Sequence, residues 1–300
     1  MTPPTEVIVA TLARDRRRVF SDLVVLAKPR VVLMVLVATV VGYYAGLAGP
    51  PDWVRLAHLV LGTLLAAGGT LALNQYWERE VDARMERTRG RPLPDGRLMP
   101  LEALLFGGAL TVAGVLYLAA GVSGRAAAVT VVIVVLYLFA YTPLKLRSAF
   151  CTVVGAVPGA LPPVTGWVAA REDLGVGAWV LFAILFLWQL PHTLAIGRLY
   201  QADYARAGVR LLPVIDGDGR STERQIVTGC LALLAVSLLP TLIGLAGGVY
   251  FTGALLLGLV FAALGVRQAL APSAAAARRV LFASLLYLPT LLALLALDKA

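Results

Sequence analysis

Apolar residues along this chain fall in long unbroken runs, not in the alternating or short-period patterns of soluble strands and helices. Nine windows are long enough to approach the roughly 20 residues a helix needs to cross a bilayer: about 24–46, 56–75, 102–121, 125–142, 149–169, 175–196, 226–246, 249–266 and 278–297. Gly and Pro inside several of them, such as Gly68, Gly69, Pro158, Pro162, Pro163 and Pro240, are tolerated where neighbouring helices satisfy the freed backbone groups or need close approach. The pattern predicts an all-α, polytopic membrane protein of about nine transmembrane helices. No strong repeat and no low-complexity linker interrupts it, so residues 1–300 read as one integral membrane domain, with 1–20 as a polar tail.

Composition agrees. Of 300 residues, 59% are hydrophobic and 14% charged. Soluble domains carry nearer a quarter charged residues. A single soluble core of this length could not hide the excess. The net charge of +9 does not point to nucleic acid, because the arginines sit in short loops between apolar runs. Cys151 and Cys230 lie in apolar stretches without a pairing or metal motif, and read as small buried hydrophobes. The N-terminal stretch, with Arg14, Arg16, Arg17 and Arg18, lacks the apolar run of a signal peptide.

Charge also sets an orientation. With the N-terminus inside, alternate loops place 22 of the 26 lysines and arginines on the inner face. Only Arg55, Arg125, Arg171 and Lys299 remain outside. Basic residues favour the cytoplasmic side, so the N-terminus is expected in the cytoplasm and the C-terminus outside. The two long inner loops, 76–101 and 197–225, hold most of the acids as well. Chemistry is expected there.

The richest segment runs Asn74-Gln-Tyr-Trp-Glu78-Arg-Glu-Val-Asp82 and on to Arg87, Arg89 and Arg91. If the second helix continues through it, Asn74, Glu78 and Asp82 at i, i+4 and i+8 stack on one face, with Glu80 turned away. Oxygen donors in a row suit Mg²⁺, which takes a few carboxylates, water and phosphate oxygens. Guanidinium groups just beyond suit phosphate oxygens. The plain alternative is a solvated helix end with Glu–Arg pairs. Against it, acids continuing a membrane span are costly without a partner. A second group, Tyr141-Thr-Pro-Leu-Lys145, ends the fourth window at the same face; interfacial anchoring would explain it equally well. A third, Trp188-Gln-Leu-Pro-His192 with Asp203-Tyr204, ends the sixth window and opens the loop beyond. By themselves His192 reads as a hydrogen-bonded structural residue, and Asp203 as a loop cap or second metal ligand.

Taken together these segments resemble the UbiA superfamily of intramembrane prenyltransferases, and within it the branch that farnesylates heme. The resemblance covers nearly the whole chain: Lys28-Pro29-Arg30, the acidic segment from Asn74, Met85-Glu-Arg87-Thr88 with Arg91-Pro92-Leu93-Pro94, Tyr141 to Lys145, Gly155 to Pro163 with Gly166-Trp167, Trp188 to His192, and Asp203-Tyr204 with Ala207-Gly208 and Leu212-Pro213-Val214. It departs at Leu146, where the family has Arg, and at Cys151, Thr193 and Arg198. The resemblance implies a UbiA-like bundle in the cell inner membrane. It implies Mg²⁺-dependent transfer of a farnesyl group from farnesyl diphosphate to a vinyl group of heme b, giving heme o for heme-copper oxidases. Asn74, Glu78, Asp82 and Asp203 would hold the metal, with Lys145 beside them. Arg87, Arg91, Tyr141, Lys28, Arg30, His192 and Tyr204 would bind substrates. Heme A synthase is the implied partner. The rival readings are prenylation of a quinone head group or chlorophyll, a membrane transporter, and a non-catalytic assembly factor.

Overall fold

The computed structural model describes residues 16–300; the tail expected at 1–15 lies outside the described residues. Nine helices among the described residues are long and apolar enough to cross a membrane, and the protein is a multi-pass membrane protein. In chain order the helices are α1 (Arg16–Leu26), α2 (Pro29–Gly46), α3 (Trp53–Asp82), α4 (Pro100–Gly121), α5 (Gly124–Leu144), α6 (Cys151–Arg171), α7 (Val176–Leu199), the short α8 (Gln201–Arg206) and α9 (Leu212–Ile215), α10 (Arg220–Leu242), α11 (Gly248–Leu270) and α12 (Ala274–Leu297). Among the described residues extended pairing is limited to one bridge, Ala246 to Lys299.

Two boundaries differ from the sequence reading. Residues 16–20, expected as tail, belong to α1. The first apolar window, read as continuous over 24–46, breaks at Lys28, which has φ 52° and ψ 63°. The cause is Pro29, whose ring disfavours helical backbone in the preceding residue and then starts α2 at its first position. A non-glycine residue in the left-handed region is strained by about 1–3 kcal/mol, and that strain sits where Lys28 enters the candidate site.

The other boundaries follow from local chemistry. Side chains of Asp52, Ser123 and Ser273 accept the backbone N–H of Arg55, Ala126 and Ala276 at 3.0, 3.2 and 3.1 Å, capping α3, α5 and α12. The Glu102 carboxylate accepts from Met99 N at 2.7 Å ahead of Pro100. The 30 residues of α3 reach about 45 Å at 1.5 Å per residue, against roughly 30 Å of hydrocarbon. Its last turns therefore project past the hydrocarbon, carrying Asn74, Glu78 and Asp82. Near its end α5 carries a π-helical turn over Leu136–Tyr141. Pro143 lacks an N–H, and the Thr142 hydroxyl donates to Tyr137 O at 2.8 Å. Such turns cluster at functional sites.

Helices in lipid gain little from hydrophobic burial and associate instead through close packing. The α3–α4 seam shows this. A Cβ placed at Gly69 would stand 2.5 Å from the Thr111 amide nitrogen, so only glycine permits that approach. The α2–α6 seam is similar, at Gly42 against Pro163 and Gly166 against Thr39. The main core joins α6, α7, α10, α11 and α12 around Trp167, Leu181, Ile226, Tyr250, Phe261 and Tyr287. The two buried phenols are satisfied within it: Tyr250 donates to Ser237 O at 2.9 Å and Tyr287 to Ser237 Oγ at 2.8 Å. Cys151 and Cys230 are free and buried.

Candidate functional site

Where α3 outruns the hydrocarbon, it meets the start of α2, the end of α5, the loop after α3 and the α8–α9 loop. They enclose a cavity of about 390 Å³. Five cations line it: Lys28, Arg87, Arg91, Lys145 and Arg147. Only two carboxylates do, Glu78 and Asp82. The cavity is therefore net cationic and suited to a polyanion. At about 390 Å³ it is also within the size of small-molecule sites.

On the α3 wall the expected stack is present. Asn74 is 1% exposed and Asp82 2% exposed, at depths where a bare carboxylate would be costly without a counter-charge. Each member has a partner. Asn74 Nδ2 donates to Thr142 Oγ1 at 3.0 Å, and Lys28 Nζ lies 3.4 Å from Asn74 Oδ1. Lys145 Nζ donates to Glu78 Oε1 at 2.7 Å. Arg91 Nη1 donates to Asp82 Oδ2 at 2.6 Å. This last pair forms because the loop after α3 folds back on itself: Thr88 Oγ1 donates to Asp82 O at 2.8 Å and Arg89 N to Met85 O at 2.9 Å. Glu80 points away and is exposed.

Lys145 packs over the Tyr141 ring, 4.4 Å from its centroid. Burial works against its charge, but Glu78, then Tyr141 and Tyr137, outweigh that and raise its pKa well above the ordinary lysine value. The α8–α9 loop holds this lysine from the backbone side, because Arg210 N donates to Lys145 O at 2.8 Å. Arg87 Nη2 donates to the Tyr204 hydroxyl at 3.1 Å. Its guanidinium also stands 5.0 Å from the Tyr200 ring centroid and 5.6 Å from that of Tyr204.

Of the residues singled out in the sequence, Lys28, Asn74, Glu78, Asp82, Arg87, Arg91, Tyr141, Lys145 and Tyr204 come together on the cavity wall. Three do not. Arg30 is exposed and outside the wall. His192 lies between α7 and α12, stacked on Trp188 with centroids 4.7 Å apart and Nδ1 2.7 Å from Ser284 Oγ. Asp203, expected among the metal donors, sits behind the wall. It accepts from Glu86 N and Arg87 N, both at 3.4 Å, and pairs with Arg206. Burial opposes its ionisation, yet the two backbone amides and Arg206 hold its carboxyl below the usual carboxylate range.

The sequence reading missed Tyr137, Thr142 and Arg147 on the wall and Tyr200 beside it. Tyr137 was discoverable, because it precedes Tyr141 by four residues, one turn along the same face. The stacking of Arg87 on Tyr200 and Tyr204, more than a hundred residues along the chain, leaves no sequence signal.

Among the described residues no three His, Cys, Asp or Glu side chains form a metal-binding group. Glu78 and Asp82, one turn apart with Asn74 a turn behind, offer hard oxygen donors. Such a set fits a divalent cation whose shell is completed by water and an anion's oxygens.

Comparison with known proteins bears on the family and the fold. The model of the UbiA prenyltransferase family matches residues 35–286. A protein named protoheme IX farnesyltransferase in Solibacter usitatus is 50% identical over 287 residues, covering 93% of this chain and 98% of its own length. Its namesake in Koribacter versatilis is 43% identical, covering 97% and 95%. Among solved structures, a digeranylgeranylglyceryl phosphate synthase superposes with TM-score 0.78 at 16% identity, covering 93% of this chain and 98% of its own. A UbiA homolog from Archaeoglobus fulgidus, bound to GPP and Mg2+, superposes with TM-score 0.64 at 14% identity, covering 92% and 99%. Fold, family model and near full-length relatives converge, and the chain belongs to the UbiA prenyltransferase family.

Proposed function

We propose that this protein transfers the farnesyl group of farnesyl diphosphate to a vinyl group of heme b, giving heme o and diphosphate. The observation that carries the reading is the net cationic cavity, where Lys28, Arg87, Arg91 and Lys145 converge on the acidic row of α3. The choice of heme as acceptor rests on relatives named protoheme IX farnesyltransferase at 50% and 43% identity over nearly full length.

The diphosphate occupies the cationic cavity and the isoprenoid tail extends between helices. As the allylic C1–O bond breaks, its electron pair leaves on the diphosphate. Arg87, Arg91, Lys28 and Lys145 stand where that charge grows, which is the largest catalytic contribution such a site offers. Glu78, Asp82 and Asn74 would hold Mg²⁺, which when bound would supply Lewis-acid neutralisation of the leaving group. Glu78 and Asp82 also offset the charges of Lys145 and Arg91 until substrate arrives. The vinyl π electrons form the new carbon–carbon bond to C1. The positive charge then resides on the carbon beside the porphyrin, where water adds and releases a proton. Water kept out of the cavity until that point protects the farnesyl cation.

The cavity opens at the end of the bundle that holds the long loops. The Lys and Arg bias makes that end cytoplasmic, with the C-terminus outside and the protein in the cell membrane. Heme A synthase is the partner expected to receive the product. Transport is the weaker reading, since transport sites usually lie near the mid-membrane.

The test is direct. Purified protein is incubated with heme b, farnesyl diphosphate and Mg²⁺, and products are separated by mass. Heme carrying a hydroxyethylfarnesyl group is expected. Prenylated 4-hydroxybenzoate in place of a heme product would overturn the choice of acceptor, and no prenylated product of any kind would overturn the enzyme reading.

A further inference from the structure

Thr142 stands on the cavity wall with no charge to offer a diphosphate. Its hydroxyl is nonetheless engaged on two sides. Oγ1 donates to Tyr137 O at 2.8 Å and accepts from Asn74 Nδ2 at 3.0 Å. Both side chains are buried, with Thr142 4% and Asn74 1% exposed. The π-helical turn over Leu136–Tyr141 leads the backbone N–H of Thr142 to the same Tyr137 carbonyl, so backbone and side chain of Thr142 are tied to one point.

A threonine hydroxyl has one proton, and a lysine ammonium has donors only. With its proton committed to Tyr137 O, Thr142 Oγ1 can only accept from Asn74. Lys28 Nζ, 3.4 Å from Asn74 Oδ1, can only donate. The Asn74 amide is therefore held in one orientation by two groups of fixed polarity. Turned over, it would set its NH₂ against the Lys28 ammonium and its oxygen against a lone pair of Thr142. The orientation matters because an amide ligates a hard cation through its oxygen. A cation at Oδ1 would repel Lys28 and loosen that side, which leaves Thr142 as the lasting restraint.

We propose that Thr142 is a positioning residue for Asn74: its hydroxyl, oriented by Tyr137 O, turns the Asn74 carbonyl oxygen toward the divalent cation. This rests on Asn74 being one of the Mg²⁺ donors.

Mn²⁺ binding to the detergent-solubilised protein, read as loss of the free-ion paramagnetic signal, tests this without turnover. Thr142→Val keeps the shape and removes the hydroxyl. It should weaken Mn²⁺ binding by about 10–100-fold, the range for losing the partner that orients a metal ligand. Thr142→Ser keeps the hydroxyl and should recover most of the affinity. A carboxylate presents oxygen whichever way it turns, so in an Asn74→Asp background Thr142→Val should cost less than about twofold. Calorimetry of inorganic diphosphate in EDTA should show the same affinity for Thr142→Val as for the unaltered protein. In turnover, the valine variant should need more Mg²⁺ for half-maximal rate, with KM for farnesyl diphosphate at saturating Mg²⁺ unmoved. An equal loss of Mn²⁺ in the Asn74→Asp background would make Thr142 a ligand in its own right and overturn the proposal. Full Mn²⁺ affinity in Thr142→Val would overturn it, and so would a matching loss of diphosphate binding in EDTA, the mark of a collapsed pocket. If the valine variant does not fold, Thr142→Ala carries the same comparisons. If the unaltered protein takes up no Mn²⁺, or Asn74→Leu takes it up as tightly, the metal assignment of Asn74 fails and the restraint with it. Loss in Asn74→Leu without loss in Thr142→Val sinks the restraint alone.

Discussion

Replacing Asp82 by Asn separates two effects that a simple loss of activity would merge. Asp82 is 2% exposed and pairs with Arg91 at 2.6 Å. Asparagine keeps the shape and removes one negative charge. The Arg91 side chain is 26% exposed, so the stranded guanidinium reaches water and the folding penalty is discounted from the buried-pair range to about 1 kcal/mol. The protein should therefore still be recovered folded. For bare diphosphate the substitution should help. Arg91 is released, and a repelling unit charge several ångströms away is worth about 2 kcal/mol at an effective dielectric near 20, or about thirtyfold in affinity. For catalysis the substitution should hurt, because an oxygen donor to Mg²⁺ is lost where charge develops, a loss of about 10²-fold or more. The assay pairs calorimetry of diphosphate in EDTA with mass analysis of farnesylated heme in Mg²⁺. Tighter binding with collapsed turnover is expected. Near-normal turnover, or weaker binding in EDTA, would refute the assignment of Asp82.

Other outcomes follow from the same geometry. EDTA should abolish turnover, and Mg²⁺ added back should restore it, as measured by product formation. Lys145→Met should cut turnover about 10²-fold, and combining it with Glu78→Gln should cost less than the sum of the two, because they form one ion pair. Lys145 has its pKa raised, so its contribution to stability is full below the ordinary value of 10.5 and fades only as pH rises through the higher folded value. Thermal melting of the metal-free protein should accordingly show no loss of this contribution below about pH 10. Gly69→Leu should destabilise the α3–α4 seam by about 1–3 kcal/mol or more, since the new side chain meets backbone that cannot retreat; thermal melting in detergent checks this.

Whatever depends on composition and local period could be read along the chain. Nine spans follow from hydrophobic length alone, and each corresponds to a helix of the structure. The i, i+4, i+8 row of Asn74, Glu78 and Asp82 needed only a helix running past the bilayer, which α3 does. Lys145 and Tyr141 were legible because they end a span at the same face. The break at Lys28 was half legible: Lys28-Pro29-Arg30 stood out as a segment and proline favours a helix start there, but the apolar residues on both sides read as one window.

Which charges neutralise which depends on how distant segments pack. Arg91 meets Asp82 through a loop that doubles back, Lys145 meets Glu78 across 67 positions of sequence, and Arg87 is held by α8 across 117. Hydropathy registers how costly a charge is in lipid, but not the direction in which its side chain leaves the helix or the partner it reaches. That is why Asp203, chemically equivalent to Asp82 in the sequence, lies behind the wall gripping backbone amides, while His192 stacks in the core on Trp188. Residue type fixes the chemistry a side chain can perform; the packing of distant helices fixes where it is performed.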